Sequence, residues 1–179
     1  MWILINKETN SGYSYSVEKM SAFNEDIFTQ VYEPNDAFMS LGIEDFCLVD
    51  NNLAVKITDN TKVVLNKMLG DIRYNKEKDG FKFNDLDVSM DREHIALMNA
   101  CIAYYTTTDT NTVVYKHKHG WVDLTIEEFK ALNNKQLEFF YSLLLKENSF
   151  YTYLTSSTIV TIDTITSSLA QFSSYIPEV

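Results

Sequence analysis

The spacing of hydrophobic and polar positions changes several times along this chain. Tyr13, Tyr15 and Val17 alternate with Ser14, Ser16 and Glu18, a period of two that predicts a half-buried strand. Trp2-Ile3-Leu4-Ile5 predicts a short strand before it, joined by a turn at Asn10-Ser11-Gly12. Residues 21–45 are irregular and acidic, with a turn expected at Pro34-Asn35-Asp36. Phe46-Cys47-Leu48-Val49 and Leu53-Ala54-Val55-Lys56-Ile57 then flank Asp50-Asn51-Asn52. Asn tolerates the left-handed backbone of a tight turn, so a hairpin is expected there.

Helical spacing begins after Thr61, a candidate cap, with Val64, Leu65, Met68 and Ile72 on one face and Gly70 weakening its second half. Phe81, Phe83, Leu86 and Val88 alternate around Asn84-Asp85 and predict a second hairpin. Ser89 is placed to cap a helix carrying Ile95, Met98, Ile102 and Tyr105, with Asp91 in its first turn, running to about Thr106. Val113 to Lys116 and Trp121 to Asp123 bracket Gly120 as a third hairpin. Thr125 and Glu128 then form a capping box, and Leu124 and Phe129 occupy the two positions of a hydrophobic staple. The helix they open carries Phe129, Leu132, Phe139, Phe140, Leu143 and Leu144 and is expected to reach Lys146 or beyond. Ile162, Ile165, Leu169 and Phe172 predict a last helix despite neighbouring Thr and Ser, which are poor helix formers.

The fold class that follows is α+β. A small β-rich part over residues 1–58 precedes residues 59–179, which hold a helix, hairpins and a C-terminal helical hairpin.

Composition supports a packed domain: 179 residues, 45% of them apolar, include 11 Phe and 11 Tyr. A net charge of −10 disfavours nucleic acid and anionic membranes as partners. No apolar run approaches membrane-spanning length, and the opening MWILINKE is too short in apolar residues for a signal peptide. A soluble product of the cytoplasm is expected. Cys47 and Cys101 are isolated in apolar surroundings and read as buried free thiols of a reducing compartment.

The candidate chemistry is sparse. Asp85, Asp87 and Ser89 fit positions 1, 3 and 5 of a calcium loop, but Met90 replaces the turn glycine and Ala96 the bidentate glutamate. A hairpin turn followed by an acidic helix start accounts for the same residues. His94, His117 and His119 invite zinc, with His117 and His119 on one face of a strand. No Cys lies nearby in sequence to complete a site, and solvent-facing histidines beside Lys116 and Lys118 are the simpler reading. The carboxylate pairs Asp85/Asp87 and Glu127/Glu128 fall in turns or at exposed helix starts, without the desolvation that acid–base work needs. No serine sits in a nucleophile elbow, and Cys101, two helical turns after His94, lies among Ala and Ile. The chain is therefore expected not to be an enzyme and to carry no cofactor or metal. The stripe Phe139, Phe140, Tyr141, Phe150, Tyr151 and Tyr153 is denser than one small helical layer easily buries, which makes it a candidate partner interface.

The order of Arg73, Lys78-Asp79-Gly80-Phe81, a hairpin, the helix after Ser89, Tyr115-Lys116, Gly120-Trp121-Val122-Asp123-Leu124-Thr125, Glu128, a long helix and a Thr-rich last helix resembles a known domain. That domain, of unknown function, recurs at the C-termini of tailed-phage tail proteins and tail-fibre-assembly proteins. The resemblance covers about residues 71–172. It departs at Thr158 to Thr164, where the family tends to carry a charged or Ala-rich helix. It implies a non-enzymatic virion component, made in the host cytoplasm and touching other tail or tail-fibre proteins in several symmetric copies. The alternative it implies is a tail-fibre assembly chaperone absent from the finished particle. An unrelated alternative is a metal enzyme built on the three histidines. The family brings no catalytic or ligand residues with it.

Overall fold

The computed structural model describes residues 1–33, 36–90, 92–108 and 111–178. The fold is α+β, as expected. Its N-terminal strands are β1 (Trp2–Asn6), β2 (Ser11–Ser16), β3 (Phe28–Tyr32), β4 (Phe46–Val49) and β5 (Asn52–Lys56). Then come α1 (Asp59–Asp79), β6 (Phe81–Phe83), β7 (Leu86–Val88) and α2 (Arg92–Tyr105). The chain continues through β8 (Thr112–His117), β9 (Gly120–Thr125), α3 (Ile126–Thr155), β10 (Ile159–Thr161) and α4 (Ile162–Ser174). Two compact units result: one holds Met1–Leu69 and Ser149–Phe172, the other Gly70–Asn148 with the tail from Ser173. The division therefore falls inside α1 and α3, whereas the order of expected elements drew it after residue 58.

The first unit carries two antiparallel three-stranded sheets. One has the order β2-β1-β3, the other β10-β5-β4. Strand β1 aligns Ile3 with Val31 and with Tyr15, and Ile3 and Ile5 are fully buried. Strand β3 lies in the stretch read as irregular, because Phe28-Thr29-Gln30-Val31-Tyr32 offers only a short and impure alternation. The turn before β2 occupies residues 7–10, so Ser11 and Gly12 are already in the strand. Gly12 is required there: a Cβ would stand 1.9 Å from the Ile43 carbonyl oxygen. Asn10 clamps the neighbouring sheet, its amide donating to the Leu48 carbonyl and accepting from the Leu48 N–H, both at 2.9 Å.

The hairpin β4–β5 turns on Asp50 and Asn51 at φ 50° and 64°, the left-handed pair that a two-residue hairpin loop demands. The cap expected at Thr61 belongs to Thr58, whose hydroxyl accepts the Thr61 N–H at 3.2 Å. Thr61 is itself buried and donates to the Lys56 carbonyl at 2.7 Å. Buried Asp45 ties this helix start down, accepting from the Thr58 hydroxyl, the Asn60 amide and the Gly42 N–H. The Ile159-Val160-Thr161 run, not expected as a strand, pairs with β5. Thr161 ends β10 and caps α4 through the Thr164 N–H at 3.2 Å. The core of this unit joins Ile3, Phe46, Val55 and Leu65 to Leu154, Ile162 and Ile165. The turn expected at Pro34-Asn35-Asp36 falls largely outside the described residues.

In the second unit, hairpin β6–β7 turns on Asn84 and Asp85 at φ 45° and 65°. Hairpin β8–β9 turns on Lys118-His119, with Gly120 already paired to His117. Helix α2 is described from Arg92; the helix start expected at Ser89 and Asp91 runs through residue 91, which lies outside the described residues. The capping box of α3 forms as expected: Glu128 N–H donates to the Thr125 hydroxyl at 3.2 Å, and the Glu128 carboxylate accepts the Thr125 N–H at 2.8 Å. Leu124 and Phe129 share a core with Val88, Met98, Val113, Tyr115 and Leu132. Each such side chain contributes roughly 1.5–3 kcal/mol on burial.

Gly70 does not interrupt α1. It faces Glu147, whose carboxylate oxygen would stand 3.6 Å from an added Cβ. Glu147 and Glu77 both accept from the Arg73 guanidinium, Glu147 at 2.5 Å. Burial works to lower the Arg73 pKa, but the two carboxylates outweigh it and hold the guanidinium more firmly charged. Cys47 is buried and its thiol pKa is raised, chiefly by desolvation, whereas Cys101 is only half-buried.

Candidate interaction surface

Along α3 the helical repeat decides the fate of the six aromatics singled out from the sequence. Phe139, 3% exposed, belongs to the second unit and stacks on Phe81 at 5.2 Å between ring centres. Phe140 is half-buried, while Tyr141 is 63% exposed. Phe150, Tyr151 and Tyr153 belong to the first unit. Phe150 packs on Phe172 at 5.7 Å, Tyr151 is half-buried, and Tyr153 is 60% exposed. The six are thus divided between two units, and between core and surface. Only Tyr141 and Tyr153 present most of their rings to solvent.

Two residues not singled out from the sequence flank Tyr141. Leu137 is 40% and Leu145 55% exposed. Positions 137, 141 and 145 repeat every four residues and form one stripe on the helix surface. Alternate positions buried on the same helix, such as Leu132, Phe139 and Leu143, fill the core. The stripe escaped notice because a solvent-facing row with spacing four has the same sequence signature as a buried one.

The first unit exposes aromatics on its N-terminal sheet. Tyr13, Tyr15 and Tyr32 are largely exposed. Tyr13 meets Phe28 at 4.8 Å and Trp2 meets Tyr32 at 4.9 Å. Beside them lies a cleft of about 720 Å³ walled by Trp2, Met20, Phe23 and Phe28, with Lys7, Lys19 and Glu25 among its polar residues. The Lys19 ammonium stands 5.6 Å from the Trp2 ring centre, within cation–π range. Gln30 also lines this cleft; its amide atoms are buried and make no hydrogen bond among the described residues. No signal in the sequence marked this cleft, since half of it comes from residues 18–27, which have no hydrophobic period.

His117 and His119 meet edge-on at 6.2 Å between ring centres, but the three histidines do not group as metal ligands. His119 sits in the β8–β9 turn, not on the strand, and its ring Nε2 lies 3.0 Å from an Asp87 carboxylate oxygen. His94 packs edge-on against Tyr115 at 5.6 Å. Among the described residues no three His, Cys, Asp or Glu side chains group as metal ligands. Asp85 lies in the β6–β7 turn, Asp87 in β7 and Ser89 just after that strand. Among the described residues no helix is long and apolar enough to cross a membrane. Comparison of the chain with protein-family models, curated proteins and solved structures found no match.

Proposed function

We propose that this chain is a non-enzymatic structural component of a tailed-phage particle, associated with the tail or its fibres and acting through protein–protein contacts. The observation that carries the contact role is the exposed stripe Leu137, Tyr141 and Leu145, set on a 30-residue helix. Scattered single apolar residues are normal on a surface, but a continuous row fixed on a rigid element is a surface for another protein. Large exposed aromatics such as Tyr13, Tyr15 and Tyr153 support the same reading. The phage assignment rests on the sequence resemblance over residues 71–172. Several copies in a symmetric assembly are its expected setting, in a virion built in the host cytoplasm. The net charge of −10 argues against nucleic acid or an anionic membrane as the partner.

Quantitative mass spectrometry of purified particles tests the assignment. A stoichiometric presence in the particle supports a virion component. Abundance in infected cells with absence from the particle replaces that reading with an assembly chaperone. If the chain is present in the particle, a variant carrying Tyr141→Ser and Leu145→Ser that still folds should fail to incorporate; unchanged incorporation would exclude this stripe as the contact.

A further inference from the structure

We propose that the groove between Ser89 and the edge of β8 is a binding site for a phosphate-class oxyanion. The groove has a volume of about 280 Å³ and is lined by Ser89, His94, Tyr115, Lys116, His117 and Lys118. Three separate segments bring these residues together: the link after β7, the first turn of α2, and the end of β8 with its turn. In a chain of net charge −10, this lining holds two lysines and two histidines and no described carboxylate. Asp87 is close in sequence but is engaged by His119 at 3.0 Å. Its backbone carbonyl also accepts the Lys118 N–H at 3.2 Å, which fixes the β8–β9 turn beside the groove.

The lining supplies donors of the kinds that oxyanions accept from: ammonium groups, imidazoles and hydroxyls. Tyr115, almost fully buried, carries a phenol that is protonated at neutral pH, and desolvation raises its pKa further, so it is a neutral donor. Volume decides the ligand class. The groove is at the small end of ligand pockets, which run from about 300 to 1,000 Å³. It has room for an inorganic or singly esterified phosphate. Lys116 and Lys118 are exposed, so binding should weaken with added salt. The Lys116 ammonium lies 5.6 Å from the ring centre of its cross-strand partner Trp121.

The test is titration of the full ¹⁵N-labelled chain with inorganic phosphate, with ionic strength held constant by sodium chloride. Saturable amide shifts confined to residues 89–94 and 115–119 are expected. The Lys116→Gln/Lys118→Gln double variant should raise the half-saturating concentration by about tenfold, the equivalent of about 1.4 kcal/mol. Its remaining amide signals should stay in place, and Lys135→Gln on α3 should leave binding unchanged. Methyl phosphate binding more tightly than the free ion would assign the site to an esterified phosphate, and weaker binding to the free ion. Shifts no larger than those with chloride, or unchanged affinity in the double variant, would overturn the proposal.

Discussion

Core residues of the first unit come from both ends of the chain, whereas those of the second are gathered within one stretch of it. Val160 pairs with Val55 in the first unit, and Val113 pairs with Leu124 in the second. Those sequence separations differ roughly tenfold, so closing the longer loop costs about 2 kcal/mol more in chain entropy. The first unit must offset that cost with tertiary packing of Ile162, Ile165 and Leu154. The second unit is built from hairpins and a capped helix, each directed by residues close to it in sequence. Stability that depends on distant segments is lost when one of them is removed, and local stability is not.

Ending the chain after Thr155 is the harshest test of that contrast. It removes β10 and α4, and with them Ile162, Ile165 and Phe172, all buried in the first unit. Losses of about 2–5 kcal/mol for each such side chain exceed the stability of most domains. The expected outcome is that β1 to β5 lose their native amide signals while hairpins β6–β7 and β8–β9 keep theirs. Unfolding of both units together would break the comparison and make the chain one cooperative body.

Single core truncations sharpen it further. Phe46→Ala in the first unit and Phe129→Ala in the second should each cost about 3–5 kcal/mol by urea unfolding. Hydrogen exchange should then report loss of protection first within the cluster that holds the mutated residue. A cost below about 1 kcal/mol for Phe129→Ala would place that face of α3 outside the core.

The same contrast explains what was legible in the sequence. The turns at Asp50-Asn51 and Asn84-Asp85, the Thr125–Glu128 box and the long α3 were readable because each rests on chemistry within a few residues. Strand β10 was not, because Ile159-Val160-Thr161 becomes a strand only when β5 offers it an edge. Strand β3 owes its place to β1 in the same way. The cap of α1 was placed three residues late because both Thr58 and Thr61 are plausible caps and only the fold shows which N–H each hydroxyl meets. The interaction surface was half legible. Density of aromatics on α3 could be read, but which of them face solvent depends on what packs against the helix.

A milder perturbation probes the local device of the second unit. Thr125→Ala removes the hydroxyl that accepts the Glu128 N–H, and should cost about 1 kcal/mol at neutral pH. The Thr125 backbone N–H, then its hydroxyl, hold the Glu128 carboxyl below its ordinary range. A depressed carboxyl contributes stability above its unfolded pKa and loses it as pH falls through the lower, folded value. The gap between wild type and Thr125→Ala should therefore be full at pH 7 and narrow as pH drops below the usual glutamate range. A gap that stays constant down to pH 3 would mean that the bond from the Thr125 hydroxyl to the carboxylate contributes nothing to the cap.

The gentlest substitutions act on a two-residue turn that both units use. Asn51 and Asp85 each occupy the second place of a two-residue turn, at φ 64° and 65°. Glycine adopts that conformation without the Cβ clash, so Asn51→Gly and Asp85→Gly should each change stability by less than about 1 kcal/mol, most simply toward greater stability. Valine at either place meets the left-handed penalty and should cost about 1–2 kcal/mol. Because the turns are alike, the two valine variants should cost alike, whatever the difference in loop closure between the units. A markedly larger cost at Asn51 than at Asp85 would show that the register of β4 against β5, and through it the pairing of β10, leans on that turn. Local and distant terms would then be coupled in the first unit, and the contrast between the units would be one of cooperativity and not of contact distance alone.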